Sequence, residues 1–231
     1  MGKTKLIIAL DTPDLKTAAA LLKKLKGLPL IYKVGSSLFT LAGPRAVDLV
    51  HECGGKVFLD LKFYDIPNTV RSAVESAERL GVYSVSLHLS GGARMLAAAA
   101  SLKKRPLLWG ITVLTSFDEE AFAGSGFVGG IEKNILRLAA LGAENGADGI
   151  VCSPLEAAAV RNRFGKALKI ITPGIRLVCG DDDQKRTLTP AGALSAGADM
   201  IVLGRPVLNA PDPVAIVREI LGELDRAGVK S

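Results

Sequence analysis

The chain has 231 residues, is 48% hydrophobic and carries a formal net charge of +6, enough for one large core but with no apolar run near the roughly 20 residues of a membrane span. Its cysteines, Cys53, Cys152 and Cys179, form no C-x-x-C pair, and His51 and His88 are its only histidines, which argues against a disulfide framework and a zinc site and fits the reducing cytoplasm. The Lys23-Lys24 and Lys103-Lys104-Arg105 clusters fall on helical patterns or their exits, and aromatics, at 5%, are too few for a stacking platform, so no nucleic-acid partner is expected.

Short apolar runs alternate with Ala/Leu-rich helical patterns along the whole chain. Residues 6–10 are too short for a signal-peptide core and read as the end of a first strand, 5–10. Further strands are predicted at 30–34, 56–61, 84–88, 107–113, 149–152, 169–172 and 200–203. Helices are predicted at 14–26, 44–53, 68–80, 93–102, 132–145, 155–164, 189–196 and 213–227. The strands are β-branched without polar alternation, as in a parallel sheet covered by helices. Ser153-Pro154 and Thr189-Pro190 read as N-caps before proline, and Gly81, Gly146 and Gly197 follow helix ends. Gly146-Ala147-Asp148 and Gly197-Ala198-Asp199 repeat one helix-to-strand turn. Eight βα units without a linker predict a single (β/α)₈ TIM barrel spanning residues 1–231. No G-x-G-x-x-G follows the first strand, which argues against a dinucleotide fold.

A barrel opens all its strand ends on one face. That gathers Asp11, Lys33, Asp60, Lys62, His88, Thr115, Ser116, Pro173, Arg176, Gly204 and Arg205. The third strand ends in Asp60-Leu61-Lys62 followed by Asp65. Strand alternation turns Asp60 and Lys62 to one face, where an unpaired charge is costly to desolvate. A Schiff-base lysine needs a desolvated amine without neighbouring acids, so Lys62 suits a proton donor that also neutralises developing negative charge. Lys33 extends the alternation to Lys-Asp-Lys-Asp. Gly204 and Arg205 close the eighth unit, where barrel loops commonly hold phosphate. The long connection from Pro173 to Leu188 reads as a lid; for Arg176 and Gln184, which it carries, an ordinary surface residue and a phosphate contact are equally open. Asp181-Asp182-Asp183 reads as a solvated lid tip rather than a metal cluster, and His88 as a barrel residue.

At these positions the sequence resembles the orotidine 5′-phosphate decarboxylase family. The Asp-x-Lys-x-x-Asp-Ile-Pro-Asn-Thr block stands as Asp60 to Thr69. Collinear matches are Ala9-Leu10-Asp11, Lys33-Val34-Gly35, His88 to Gly92, Val113 to Ser116, Thr172 to Arg176, Gln184, and Gly204-Arg205-Pro206. The resemblance implies cofactor-free, metal-free loss of CO₂ from orotidine 5′-phosphate to give UMP, with Lys62 protonating the vacated pyrimidine carbon. It further implies that Asp60 sits beside the leaving carboxylate, that Asp11 and Lys33 hold the ribose, and that Ser116 reads the pyrimidine amide edge. Gln184, Gly204 and Arg205 would hold the phosphate, with Thr115, Pro173 and Arg176 lining the site. Asp65 and Thr69 would reach the neighbouring subunit's site, making the enzyme a homodimer. Magnesium-dependent sugar-phosphate decarboxylases and aldolases share the barrel and the Asp-x-Lys-x-x-Asp block but carry an acid where this chain has Lys33. A non-catalytic nucleotide binder is the third reading.

Overall fold

The computed structural model describes residues 5–177 and 186–228. Eight parallel strands close on themselves in chain order: β1 (Leu6–Ala9), β2 (Leu30–Gly35), β3 (Lys56–Phe63), β4 (Ser84–His88), β5 (Leu107–Ile111), β6 (Gly149–Val151), β7 (Lys169–Thr172) and β8 (Met200–Leu203). β8 pairs with β1 through Leu6↔Ile201, Ile7↔Val202 and Ile8↔Leu203, which removes both sheet edges. The predicted (β/α)₈ barrel is therefore the observed architecture.

Helices cover the outside: α1 (Leu15–Leu25), α2 (Ser36–Ala42), α3 (Arg45–Glu52), α4 (Pro67–Arg79), α5 (Gly92–Ala100), α6 (Glu119–Gly124), α7 (Ile131–Glu144), α8 (Ala157–Phe164), α9 (Pro190–Ser195), α10 (Arg205–Leu208) and α11 (Pro213–Gly228). α1 starts where Asp14 accepts from the Thr17 backbone N–H at 2.7 Å. The hydroxyl of Thr189 caps α9 through the N–H of Gly192 at 3.1 Å, with Pro190 at the first helical position as expected. Ser153-Pro154 does otherwise. Its hydroxyl accepts from Leu155 N–H at 3.2 Å in a turn, and α8 begins only at Ala157. The short helices α2, α6 and α10 were not foreseen. They are too brief to show an apolar period, and they sit in βα connections on the open face.

Two apolar layers follow from the alternation of side chains along the strands. One packs the outward strand faces against the helices and includes Leu6, Ile8, Leu59, Val85 and Leu87. The other fills the barrel interior with Ile7, Ala9, Ile31, Phe58, Trp109, Ile111, Val151, Ile171, Met200 and Val202. Phe58 and Trp109 meet at 4.4 Å between ring centroids, tilted by 59°, and close the floor beneath the open face.

The repeated turn has a structural purpose at the opposite, closed face. Asp148, just before β6, accepts from the Leu108 N–H at 2.7 Å and from Arg105 at 2.5 Å. Asp199, just before β8, does the same for the Ile170 N–H at 2.9 Å, with Arg161 at 2.5 Å and Lys169 at 3.2 Å. Each aspartate satisfies the first free N–H of the preceding strand and so pins the start of one strand to the next. Gly146 and Gly197 make the approach at φ of 88° and 99°, a left-handed conformation that costs glycine little.

Candidate active site

The open face leads into a cavity of about 620 Å³, lined from seven strands or the loops that follow them. Asp11, Lys33, Asp60, Lys62, Thr115, Ser116, Pro173, Arg176, Gly204 and Arg205 all border it, so the structure gathers these expected site residues around one space.

The charges are arranged as a chain. Lys33, on β2, donates to Asp11 Oδ1 at 3.0 Å, and its Nζ lies 3.6 Å from Asp60 Oδ2. Lys62 Nζ donates to the same Asp60 oxygen at 3.0 Å. Asp60 Oδ1 accepts from the Ser86 hydroxyl at 2.7 Å. Burial of Asp60 raises its pKa, but the ammonium groups of Lys33 and Lys62 and the hydroxyl of Ser86 outweigh it, and the carboxyl stays below its ordinary value. Removing one partner from so buried an ion pair costs about 3–5 kcal/mol. Asp11 is half-exposed, whereas Asp60 is 7% exposed, so the chain runs from the mouth to the interior.

β3 had to extend beyond its predicted end at residue 61 to bring Lys62 into the site. Lys62 has φ of 52°, the one non-glycine residue with positive φ among the described residues. A left-handed lysine costs on the order of 1–3 kcal/mol, and such strain persists only where surrounding contacts dictate it. Its N–H donates to Ser86 Oγ at 2.9 Å. Gly35 supplies clearance nearby: a Cβ there would lie 3.0 Å from Lys33 Nζ and 3.2 Å from Asp11 Oδ1.

Asp65 and Thr69 do not border this cavity. Both are exposed, and Asp65 Oδ1 accepts from the Ile66 N–H at 2.6 Å. Within one chain the network is therefore Asp11–Lys33–Asp60–Lys62, without Asp65. Gln184 lies outside the described residues. The described ends of the connection between β7 and α9 are joined: Ile175 bridges Leu188, and Arg176 N–H donates to Leu188 O at 3.0 Å. His88 stands edge-to-face with Tyr64 at 5.7 Å, and burial, then Lys62, lower its pKa. Cys152 borders the cavity, but burial pushes its thiol up to about 12, which leaves it unreactive. Among the described residues no group of three or more His, Cys, Asp or Glu is arranged to hold a metal.

Two features escaped the sequence reading. Ser86 was legible in outline, since Ser84-x-Ser86-x-His88 puts polar residues on the inward face of a strand whose other positions are apolar. The buried pair of Arg186 and Glu156, at 2.7 Å, was not, because thirty residues separate its members. Arg186 also donates to Leu114 O at 2.8 Å and, through its own carbonyl, accepts from Ser153 Oγ at 3.3 Å. It thereby ties the loops after β5, β6 and β7 together.

A family model described as "Orotidine 5'-phosphate decarboxylase / HUMPS family" matches residues 4–220. The chain belongs to this family. An orotidine 5′-phosphate decarboxylase of Photobacterium profundum is 46% identical over 222 residues, covering 94% of this chain and 96% of that one. One from Moorella thermoacetica is 44% identical, with 97% and 93% covered. The crystal structure of the orotidine 5′-phosphate decarboxylase of Lactobacillus acidophilus superposes with a TM-score of 0.84 at 32% identity, covering 96% of this chain and 99% of that one. That of Pyrococcus horikoshii, at 24% identity, shares the fold with a TM-score of 0.79 and 95% and 99% covered.

Proposed function

We propose that this chain decarboxylates orotidine 5′-phosphate to UMP without a cofactor, and that Lys62 is the proton donor. The observation that carries the reading is the Lys33–Asp60–Lys62 chain, with Asp60 Oδ2 between two ammonium groups at 3.6 and 3.0 Å, bordering a nucleotide-sized cavity. The bond between the pyrimidine ring and its carboxylate breaks, CO₂ leaves, and the electron pair stays on the ring carbon. The Lys62 ammonium neutralises that charge and then transfers its proton to the same carbon, giving UMP; water reprotonates the amine after product release.

An ammonium ~3 Å from a full carbanion contributes ~5.5 kcal/mol at an effective dielectric of ~20. Enzymes supply roughly 8–23 kcal/mol, so the lysine alone is insufficient. Repulsion between the ionised Asp60 and the substrate carboxylate adds to it, as does binding energy from the phosphate. Gly204 and Arg205, with Gln184, serve that phosphate; Asp11 and Lys33 serve the ribose; Ser116 serves the pyrimidine edge, beside Thr115, Pro173 and Arg176. Asp65 and Thr69, exposed and outside the lining of their own cavity, serve the site of a second copy in a homodimer. Lys33 Nζ beside Asp60 disfavours the magnesium chemistry of the sugar-phosphate relatives, because a divalent cation there would meet an ammonium.

The purified chain is mixed with orotidine 5′-phosphate, and orotate absorbance and CO₂ are followed with and without a chelator. Chelator-resistant conversion to UMP is expected. UMP binding without CO₂ release would make the protein a binder, and chelator-sensitive turnover of a hexulose phosphate would assign it to the metal-dependent relatives.

A further inference from the structure

The pairing of β3 with β4 is interrupted at the charge chain. Leu59 pairs with Val85 and Phe63 with Leu87, so Asp60, Leu61 and Lys62 together stand opposite Ser86. Two extra residues on one strand preserve the alternation of faces, which is why Asp60 and Lys62 still border the cavity while Leu61 packs outward. They also leave the Lys62 N–H without a ladder carbonyl. The Ser86 hydroxyl takes that role. It accepts from Lys62 N–H at 2.9 Å and donates its single proton to Asp60 Oδ1 at 2.7 Å. Ser86 is 0% exposed, so no water competes for either contact.

We propose that Ser86 is a positioning residue for the decarboxylation: its hydroxyl replaces the missing ladder acceptor, holds Lys62 in its left-handed conformation and fixes the ammonium against the carboxylate of Asp60. The proposal rests on the reading of Lys62 and Asp60 above. Serine has both properties this position needs. It has one donor and spare lone pairs on a single atom, and it is small enough to fit opposite a three-residue bulge. Alanine has neither donor nor acceptor. Threonine keeps both at the expense of one methyl.

Ser86→Ala should lower kcat by about 100-fold, the loss expected from a displacement on the order of 1 Å at the reacting groups. UMP affinity per folded molecule should stay within about 3-fold, since Ser86 does not border the cavity. Ser86→Thr should recover most of the loss. The acid limb of the pH profile should also move. Asp60 faces Lys33 from β2, Lys62 from β3, and Ser86 and His88 from β4, with Asp11 behind Lys33. Deleting the hydroxyl removes one of the influences that lower its pKa, so the limb should shift to higher pH in Ser86→Ala and return in Ser86→Thr. A merely structural serine would lower the melting temperature and leave kcat per UMP-binding site and the acid limb unchanged, and that result would overturn the proposal. A wild-type chain that released no CO₂ would instead sink the decarboxylase reading. The positioning role would then be judged by ¹³C NMR titration of Asp60 in both proteins, where identical titration would refute it.

Discussion

Lys62 carries three demands at once: a strained backbone, an ion pair to Asp60 at 3.0 Å and a place at the cavity wall. Their coincidence on one side chain supports the proposed role of Lys62, since a surface lysine would relax out of all three. Lys62→Ala should fold, bind UMP and lose about four orders of magnitude in kcat, the rate equivalent of ~5.5 kcal/mol. Absorbance kinetics at saturating substrate measure this, and near-wild-type turnover would remove Lys62 from the mechanism. The identity and facing of Asp60 and Lys62 were legible in the sequence because period-two alternation survives a two-residue bulge. The left-handed conformation was not legible, since nothing in Leu61-Lys62-Phe63 prefers it; the opposing strand imposes it.

At the scale of elements, the eight strands were readable because each is a short, mostly apolar run of strand length between helical patterns. Boundaries were less so. The expected strand 107–113 stops at Ile111, after which Thr112 donates its hydroxyl to Val151 O at 2.9 Å and the chain leaves the sheet. The helices α2, α6 and α10 went unread because each has too few turns to repeat a pattern, although α10 carries the proposed phosphate residue at its start. Arg205 opens it directly after Gly204, on the rim of the cavity. Arg205→Ala should raise KM and lower kcat/KM for orotidine 5′-phosphate by about 10- to 100-fold, the worth of a charge-assisted contact. Phosphate-free orotidine, a poor substrate throughout, should be nearly indifferent to the change. An equal loss on both substrates would show that Arg205 supports the loop rather than the phosphate.

For the whole molecule, the exposed Asp65 and Thr69 lie beyond the barrel's own cavity, and no reading of one chain assigns them work there. If each site takes Lys62 from one copy and Asp65 from its mate, Lys62→Ala and Asp65→Ala homodimers should both be severely impaired. Refolding an equal mixture should then restore roughly a quarter of wild-type activity, because half of random dimers are mixed and each holds one undamaged site. No recovery despite verified subunit exchange would refute the shared site. Both faces of the barrel carry a carboxyl whose folded pKa is lowered, Asp60 at the open face and Asp199 at the closed one. Asp199 at the closed face is pushed up by burial but held lower overall by the Ile170 N–H, Arg161 and Lys169. A carboxyl with a depressed folded pKa contributes stability above its unfolded pKa, and that contribution is lost as pH falls through the folded value. Under the proposed mechanism Asp60 also limits turnover, so Asp199→Asn should remove part of the acid loss of melting temperature, the share of Asp60 remaining, while the acid limb of kcat/KM stays where it was. Parallel shifts in both would contradict this division. Since Asp148 and Asp199 pin strand beginnings and border no part of the cavity, adaptation to heat has a whole tier of strand starts to vary without touching a cavity residue.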